Sequence, residues 1–422
     1  YNRRNNMNFV IIGYGARGHL YSQIIKELGE GVCAVCDPDQ NRLALAKKFI
    51  GLSDDALYHD TAEMLSKGRL GEICIVATQD GSHREHAVAA MNAGYDLLLE
   101  KPIARGMEEL FDIYLTAKKL NKKVFICHVL RYAPFFNIIK EELGSGLYGG
   151  ISTINLTENV AYWHQAHSFV RGNWANSEDS TPMIIAKCCH DLDLLAWYAG
   201  KNCVSVSSYG SLNYFTNKNA PQGSAERCLD CAVKNDCPYD AERLYIFDRF
   251  DKGLSAWPVD VLVTEPTREK LYAALREGKY GKCVFRCNNN AVDHQVVNML
   301  FEGGPTAHLT MTAFSKDCYR NIHIHCEKGE IYGSGRDNIL HCNIFGKTSK
   351  QIDTVIEHSG AYGHGGGDYY LIKDIITSYR GRGGKNLTSI GNSMLSHFMG
   401  FAAEQSRLSD GKAVECYKFE EK

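Results

Sequence analysis

NFVIIGYGARG, at residues 8–18, is the stretch that decides the fold: an apolar run enters a turn that contains three glycines. The run has the length of a buried strand, and residues 18–28 follow it with the spacing of a helix. A strand that passes through Gly-x-Gly-x-x-Gly into a helix is typical of dinucleotide-binding domains, because the helix N-terminus attracts the pyrophosphate. We therefore expect a nucleotide-binding α/β domain at the start of the chain.

The three glycines have separate physical roles in this turn. Gly13 permits the tight bend, Gly15 lets the backbone approach a pyrophosphate, and Gly18 lets the helix pack closely on the strand. Asp37 ends the second apolar run, where a carboxylate accepts hydrogen bonds from the adenosine ribose. Because a carboxylate there would repel a 2′-phosphate, we predict NAD rather than NADP as the cofactor.

Strand-like runs alternate with helical patterns through the first 130 residues. The runs lie at residues 8–12, 32–36, 73–77, 96–99 and 123–127, and the helical patterns lie at 18–28, 40–49, 82–92 and 107–120. Alternation of this kind indicates βαβ units around a parallel sheet. Residues 7–130 are therefore predicted to form a doubly wound Rossmann domain of the α/β class.

The pattern changes after residue 131. Runs at 204–209, 294–301, 306–314 and 321–326 alternate apolar and polar residues, which is typical of a mostly antiparallel sheet with one wet face. A helix is predicted over residues 183–197, and residues 217–290 are predicted to form an irregular insertion that is rich in cysteine and lysine. We expect residues 131–422 to form a second, α+β domain.

Composition excludes several classes of partner. The chain of 422 residues has a net charge of −2, so no basic excess indicates nucleic acid or an anionic membrane. Its apolar runs are far shorter than the roughly 20 residues of a membrane-spanning helix, and no signal-peptide pattern opens the sequence. The 16 cysteines, several of them inside strand-like runs, favour free thiols in a reducing cytoplasm.

Further motifs lie along the whole chain: LLEKPIA at 98–104 after the fourth predicted strand, Thr78 with His83, HDLDLLAWYAG at 190–200, and GHGGGD at 363–368. With the glycine turn, they resemble the glucose–fructose oxidoreductase / inositol dehydrogenase / MocA family. The resemblance implies an NAD(P)-dependent oxidoreductase whose second domain contains a large, open, mostly antiparallel sheet. It also implies a sugar-like small-molecule substrate and a homo-oligomer, a dimer or a tetramer, formed through the sheet face.

The cofactor site predicted from the glycine turn and the family motifs has ten members. They are Gly13, Gly15, Ala16, Arg17, Gly18, Asp37, Thr78, His83, Glu100 and Lys101. Most of them come from the ends of strands in the first domain, and open parallel sheets bind ligands at the carboxyl ends of their strands.

Lys101 and His190 are the candidate catalytic residues. Oxidation of a secondary alcohol needs a group that accepts or relays the hydroxyl proton as hydride leaves, and burial or nearby charge can bring lysine and histidine pKa values toward neutrality. The family pattern places an aspartate four residues before the histidine, but this chain has Ala186 there, followed by Lys187. Either Lys187 joins the chemistry, or the proton path differs from the family pattern.

YWHQAHSFVRGNW, at residues 162–174, is the predicted substrate segment. Aromatic faces pack against the C–H surfaces of sugars, and polar groups bind their hydroxyls. The alternative is an aromatic surface loop that packs on the partner domain. The predicted substrate-binding residues, including two from the family motifs, are Tyr162, His164, His167, Arg171, Trp174, Asp193 and His364.

Cys228, Cys231 and Cys237 form a Cys-x2-Cys-x5-Cys pattern inside the insertion. A segment with little apolar content gains stability from a tetrahedral metal, so we predict a structural zinc here. An iron–sulfur cluster and free cysteines are the alternatives. The fourth ligand stays open, and its candidates are Cys188, Cys189, Cys283 and Cys287.

Three functions remain open from the sequence. The first is an NAD-dependent oxidoreductase that moves hydride at a secondary alcohol of a sugar, glycoside or polyol, with C3 as one candidate position. The second is an NAD-dependent glycosidase that oxidises C3 transiently, eliminates the aglycone and returns the hydride to the sugar. The third is a non-catalytic NAD-binding regulator, against which LLEKPIA and His190 argue.

Overall fold

A parallel sheet of six strands forms the N-terminal domain in the computed structural model, which describes residues 6–358 and 363–419. Across the sheet the order is β3-β2-β1-β4-β5-β6, and neighbouring strands are parallel. The strands are β1 (Asn8–Ile12), β2 (Gly31–Cys36), β3 (Leu57–Tyr58), β4 (Ile73–Val76), β5 (Asp96–Leu99) and β6 (Val124–Ile126). The sequence predicted five strands and missed β3, because two residues leave no periodic pattern.

Helices cover both faces of this sheet, as the doubly wound prediction required. They are α1 (Ala16–Glu27), α2 (Gln40–Ile50), α3 (Thr61–Ser66), α4 (His83–Asn92) and α5 (Met107–Lys119). On one face, Ile24 of α1 shares a core with Ile11, and on the other Leu110 of α5 shares a core with Ile12. The carboxyl ends of β1, β4 and β5 therefore lie side by side at the edge where such sheets bind ligands.

A second sheet of nine strands confirms the predicted α+β domain. Its order is β14-β13-β12-β11-β7-β10-β9-β8-β15, and only the pair β7–β10 is parallel. The strands are β7 (Ile151–Ala161), β8 (Cys203–Ser211), β9 (His294–Phe301), β10 (Thr306–Ser315), β11 (Tyr319–Cys326), β12 (Gly329–Ser334), β13 (Ile339–Ile344), β14 (Lys350–Asp353) and β15 (Val414–Glu415).

Helices α6 (Pro134–Gly144), α7 (Tyr162–His164), α8 (Met183–Ala186) and α9 (Cys189–Ala199) belong to the same domain. The single helix predicted over residues 183–197 is wrong in one detail, because the chain breaks between α8 and α9. The ψ angle is −53° at Lys187 and 3° at Cys188. Lys187 therefore leaves the helical face that carries His190.

The insertion at 217–290 is built of short turns with α10 (Val259–Leu262) and α11 (Arg268–Glu277). It has a small core of its own, in which Tyr245, Leu271 and Leu275 are buried. Arg42 on α2 donates a 3.2 Å hydrogen bond to the carbonyl of Asp260, so the insertion also contacts the N-terminal domain.

The last two helices, α12 (Gly367–Tyr379) and α13 (Ile390–Leu408), return to the N-terminal sheet. Ile372 and Ile375 of α12 join the core on one face, and Phe398 of α13 joins the core on the other. The predicted domain boundary at residue 130 separates two sequence patterns, but α12 and α13, which come after it, pack on the N-terminal sheet. None of the helices within residues 6–358 and 363–419 is both long enough and apolar enough to cross a membrane.

Candidate active site

The glycine turn has the geometry that a pyrophosphate needs. Gly13 has a φ of +90°, and a Cβ atom there would lie 2.6 Å from the carbonyl oxygen of Ala77, directly after the neighbouring strand β4. A Cβ atom on Gly18 would lie 2.1 Å from the carbonyl oxygen of Gly13. At Gly15, by contrast, no atom lies within 4 Å of the added Cβ. The backbone is therefore packed on its inner side and open at Gly15, with Ala16 as the first residue of α1.

Asp37 lies directly after β2, next to the glycine turn. One of its carboxylate oxygens accepts a 2.7 Å hydrogen bond from the backbone N–H of Tyr14, and the other accepts a 2.9 Å bond from Asp39. These bonds fix the carboxylate at the end of β2, and each oxygen keeps a lone pair for a further donor. The nearby guanidinium of Arg42 is bonded to Asp260 instead.

An ion-pair network connects the glycine turn to the C-terminal domain. Arg17 donates to Glu100 at 2.5 Å and also pairs with Asp368, which accepts a further bond from His364 at 2.8 Å. Burial alone would raise the pKa of Glu100, but Arg17, Tyr21 and Lys101 together hold that pKa below its ordinary value. Arg17 thus connects α1 to the end of β5 through Glu100 and to α12 through Asp368.

Thr78 and His83 lie behind the cofactor edge. His83 is fully buried, and its ring nitrogens lie 2.7 Å from the carbonyl oxygen of Pro102 and 3.1 Å from that of Thr78. The ring therefore ties the chain after β4 to the chain after β5. Because no part of His83 is exposed, the predicted direct contact between His83 and a cofactor is wrong. The ring instead holds these two segments of the chain in position.

Lys101 and His190 meet across the domain boundary. The ammonium of Lys101 donates a 3.0 Å hydrogen bond to the carbonyl of Ala186. His190 is 3% exposed, and neither of its ring nitrogens has a hydrogen-bond partner among the residues described. Its ring centroid lies 5.5 Å from that of His364. Burial first, and then the charges of Lys101 and His364, hold the pKa of His190 well below its ordinary value, so the ring is neutral.

Lys187 belongs to a buried set of four charges. Its ammonium lies 3.1 Å from Glu158 on β7, which also pairs with Arg320 on β11 at 2.9 Å. Arg320 reaches Asp191 at 2.6 Å. Burial would lower the pKa of Lys187, but Glu158, together with Cys318 and Asp191, raises it above its ordinary value, so the side chain is a cation.

Asp193 is the centre of a second buried cluster. Its carboxylate accepts two 2.7 Å hydrogen bonds from Arg131, and one oxygen lies 2.8 Å from Nδ1 of His128. Burial would raise the pKa of Asp193, but Arg131 and His128 lower it to about 2. The ring of His128 lies 6.1 Å from that of His190. Asp193 therefore supports the shell behind His190 rather than facing a substrate.

The first part of the substrate segment faces the same region. His164 lies 3.3 Å from the sulfur of Cys318 and packs edge-on against Trp257 of the insertion at 5.0 Å. Tyr162 packs edge-on against Tyr239 at 5.9 Å. Burial and the charge of Lys187 hold the pKa of His164 well below its ordinary value. His164 and Trp257 thus form an aromatic wall near Lys187, while Tyr162 packs on the insertion.

The second part of the segment turns away into the insertion. His167 is 2% exposed, stacks on Tyr280 at 4.9 Å and hydrogen-bonds the hydroxyl of Tyr245 at 2.9 Å. Arg171 is 3% exposed and donates to the carbonyls of Lys282 and Tyr239. The prediction that His167 and Arg171 bind substrate is wrong, because aromatic rings and backbone carbonyls of the insertion already contact both side chains.

Trp174 binds the N-terminal domain. Its indole N–H lies 3.1–3.2 Å from both carboxylate oxygens of Asp80, which also accepts a 2.9 Å bond from Thr181. Its only polar atom is therefore already bonded, and Trp174 locks the segment to the loop after β4.

The predicted metal residues lie apart from this site, around a small cavity in the insertion. Among the residues described, only His323, His325 and Glu330 bring three ligand atoms within 4.8 Å of one another. The sulfurs of Cys228, Cys231 and Cys237 therefore do not form a closed metal site as they stand.

Several residues of the site were missed from the sequence. Glu158 and Arg320 lie on strands whose alternation indicated only a sheet, and Asp191 sits unremarked between two motif residues. Trp257 was also missed, because it lies in the irregular insertion. A tryptophan among turn residues is nevertheless a recognisable candidate for contact with a ligand.

The family follows from comparison with known proteins. Residues 7–128 match the family model described as an oxidoreductase family NAD-binding Rossmann fold, and residues 140–389 match the model described as the C-terminal alpha/beta domain of that family. The chain belongs to the Gfo/Idh/MocA oxidoreductase family. The first domain is accordingly an NAD-binding domain.

Family relatives share modest identity with this chain. YteT of Bacillus subtilis (strain 168), an oxidoreductase by name, is 26% identical over 396 residues, which is 87% of this chain and 88% of that protein. Inositol 2-dehydrogenase 2 of Saccharopolyspora erythraea is 25% identical over 206 residues, 48% of this chain and 57% of that protein. Glycosyl hydrolase family 109 protein 2 of Shewanella sp. (strain ANA-3) is 26% identical over 251 residues, 55% of this chain and 51% of that protein.

Solved family structures share the fold. The WlbA dehydrogenase from Bordetella pertussis, in complex with NADH and UDP-GlcNAcA, has a TM-score of 0.68 at 15% identity, and the match covers 98% of this chain and 100% of that one. A levoglucosan dehydrogenase in complex with NADH has a TM-score of 0.70 at 15% identity, with the same coverage.

Proposed function

We propose that this oxidoreductase acts with NAD on a secondary hydroxyl of a sugar, a glycoside or a polyol. His190 carries the proposal, because its two buried ring nitrogens lack hydrogen-bond partners in the described chain. A buried polar atom without a partner costs roughly 1–3 kcal/mol. A substrate hydroxyl between His190 and Lys101 would remove that cost, and at such a position both side chains could handle its proton.

The residues of the N-terminal domain fit a dinucleotide. The open side of Gly15 leaves the helix N-terminus free for a pyrophosphate, and Asp37 keeps acceptor capacity for a ribose. When bound, NAD accepts or returns a hydride through its nicotinamide ring. Glu100 and Arg17 hold the strand end that bears Lys101, so these residues position the catalytic lysine relative to the cofactor edge.

Lys101, His190 and His364 are the residues that would accept and transfer the proton of the substrate hydroxyl. The neutral ring of His190 can accept the hydroxyl proton during oxidation, and the ammonium of Lys101 can stabilise the negative charge that develops on the oxygen. His364 lies beside His190, and its side chain is 34% exposed, so it offers a route from the buried ring toward water. Asp368 orients His364 by accepting its Nδ1 hydrogen bond.

Preference for NAD over NADP is supported by two side chains. Asp37 places a negative charge at the end of β2, where it would repel a 2′-phosphate. Arg42, a cation close enough in sequence to offset that charge, is bonded to the carbonyl of Asp260.

The sugar class is supported by the aromatic wall. His164 and Trp257 offer aromatic faces, while Lys101 and His190 offer polar groups, which is the combination that carbohydrate rings require. The wall is formed by the C-terminal domain and its insertion. C3 is the carbon that we propose for oxidation.

The proposal is tested by mixing the enzyme with NAD and a panel of sugars, glycosides and polyols while NADH absorbance is followed. Formation of one NADH per oxidised substrate supports the dehydrogenase. His190→Ala should abolish the signal for the same substrate without abolishing NAD binding. If no member of the panel changes NADH absorbance in either direction, the dehydrogenase proposal fails.

The NAD-dependent glycosidase is the second candidate, and the match to a family 109 glycosyl hydrolase over 251 residues favours it. In this mechanism hydride leaves the sugar and later returns, so no net NADH accumulates. Release of the aglycone from a chromogenic glycoside, with constant NADH absorbance and a dependence on His190, would favour it over the dehydrogenase. Homo-oligomer formation and a cytoplasmic location remain predictions from the sequence.

A further inference from the structure

Four cysteines line one small cavity inside the insertion. Cys228 and Cys231 lie at the two ends of one turn, Cys237 ends the next turn, and Cys283 arrives from beyond α11. The cavity has a volume of about 20 Å³, which is room for one water-sized guest. The two turns and the chain after α11 thus bring four cysteines to the wall of one cavity.

The structure also chooses among the four candidates for the last ligand. Cys283 lines the cavity, whereas Cys287 directs its thiol to the carbonyl of Cys283 at 3.3 Å. Cys188 and Cys189 are buried at the start of α9, and neither is among the residues that line the cavity. Cys283 is therefore the one candidate on the cavity wall.

Arg171 supplies an independent observation. Its guanidinium lines the same cavity at 3% exposure, and its Nη1 atom has no hydrogen-bond partner within the described residues. Its bonds run to the carbonyls of Lys282 and Tyr239 and, at 3.3 Å, to the sulfur of Cys228. None of these partners carries a negative charge while Cys228 is a thiol. A buried cation of this kind is costly unless an anion compensates it.

We propose that Cys228, Cys231, Cys237 and Cys283 bind one zinc ion as thiolates. Zinc displaces the four thiol protons to solvent, and the resulting tetrathiolate centre carries two negative charges. That charge compensates the guanidinium of Arg171, and no electron transfer is involved. Because no three of the sulfurs lie within 4.8 Å of one another in the described chain, the turns must draw together around the ion.

The site connects the insertion to the substrate side of the molecule. Arg171 belongs to the same segment, residues 162–174, as His164, and it donates hydrogen bonds to the insertion backbone at Lys282 and Tyr239. A filled site would fix Arg171, and through it the chain that bears the aromatic wall. We therefore expect loss of zinc to weaken substrate binding and leave NAD binding unchanged.

Metal content of the purified enzyme tests the proposal. The enzyme is prepared under reducing conditions, dialysed against a chelating resin and analysed by inductively coupled plasma mass spectrometry. One zinc per chain is expected, and a mercurial thiol reagent should release it stoichiometrically to a colorimetric zinc dye. Less than about a tenth of a zinc per chain, or iron in its place, would overturn the zinc assignment.

Two variants locate the ion. Cys231→Ser should reduce zinc content at least tenfold, whereas Cys33→Ser, a half-buried cysteine of β2 in the other domain, should retain one zinc per chain. If Cys231→Ser does not fold, Cys283→Ala in a zinc-supplemented preparation provides the same comparison. Retention of full zinc by both cavity variants would place the ion elsewhere and refute the site.

Discussion

The ammonium of Lys101 donates a 3.0 Å hydrogen bond to the carbonyl of Ala186, joining the end of β5 to the end of α8. This bond crosses the boundary between the NAD-binding domain and the sheet domain. Burial is the main cause that lowers the pKa of His190, and the nearby charge of Lys101 lowers it further. At residue 186 alanine offers no carboxylate, so a backbone oxygen serves as the acceptor.

Replacing Lys101 with methionine keeps the length of the side chain and removes the charge. We expect kcat to fall by roughly 10²–10⁴, the span typical of losing a positioned acid or base. NAD affinity, measured by fluorescence titration, should change little. Lys67→Met, at the exposed end of α3, is the matched control and should retain activity. Full activity of Lys101→Met would remove the lysine from the mechanism.

Asp37→Ala should weaken NAD binding and narrow the preference for NAD over NADP. The change removes an acceptor for the ribose hydroxyls and a charge that repels the 2′-phosphate. Dissociation constants for both cofactors, measured by calorimetry, report the two effects separately. Asp39→Ala, which alters the exposed N-cap of α2, is the control for local folding. Unchanged affinities for both cofactors would contradict the assignment of Asp37.

The buried charges around Lys187 should couple strongly. Lys187→Met removes one of the two cationic partners of Glu158, whose side chain is 1% exposed. We therefore expect the free energy of unfolding to decrease by an amount on the order of 3 kcal/mol. Adding Glu158→Gln removes the excess negative charge and should recover part of that loss. Urea denaturation of the single and double variants gives the coupling energy. Strict additivity of the two changes would show that the pair does not interact.

The same variants separate stability from chemistry at Lys187. If the lysine only balances charge, the double variant regains kcat together with stability. If Lys187 joins the proton transfer, kcat stays low in the double variant. For comparison, Lys47→Met breaks an exposed pair with Asp54 and should change stability by less than about 1 kcal/mol.

We expect the free energy of unfolding to decrease as the pH falls below about 6.5, the ordinary pKa of histidine. Burial is the largest cause that lowers the pKa of His167 and His397 to about 3, and the pKa of His190 is also depressed. Between those values and roughly 6.5 the unfolded chain binds more protons than the folded one, so stability is lost as the pH falls. Each histidine contributes up to about 1.4 kcal/mol per pH unit. Burial raises the pKa of Asp191 to about 6 and also raises the pKa values of Asp240 and Asp260, and these carboxyl groups oppose the trend.

Urea denaturation at pH 7.5 and pH 5 measures this effect. His397→Gln can still accept the 2.8 Å bond from the backbone N–H of Ile103 and should reduce the pH dependence. His308→Gln, on the sheet of the other domain, is the comparison, because its ring already meets water in the folded state. A free energy of unfolding that stays constant between the two pH values would contradict the assignment of neutral buried rings.

The sequence by itself determined the N-terminal domain and its cofactor edge. The apolar run, the glycine turn and Asp37 are encoded within about thirty consecutive residues, and local periodicity and backbone sterics suffice to interpret them. The family motifs also identified Lys101 and His190 as a candidate catalytic pair. In the structure Lys101 follows β5 and His190 lies on α9.

Tertiary structure alone decided which charges and rings surround that pair. Glu158 and Arg320 lie 162 residues apart in sequence yet pair at 2.9 Å, because β7 and β11 are neighbours in the sheet. The directions taken by His167 and Arg171 depend on how the insertion packs. Local patterns record which side of an element is buried, but the partner on that side is set by strand order and packing, which link residues far apart in the chain.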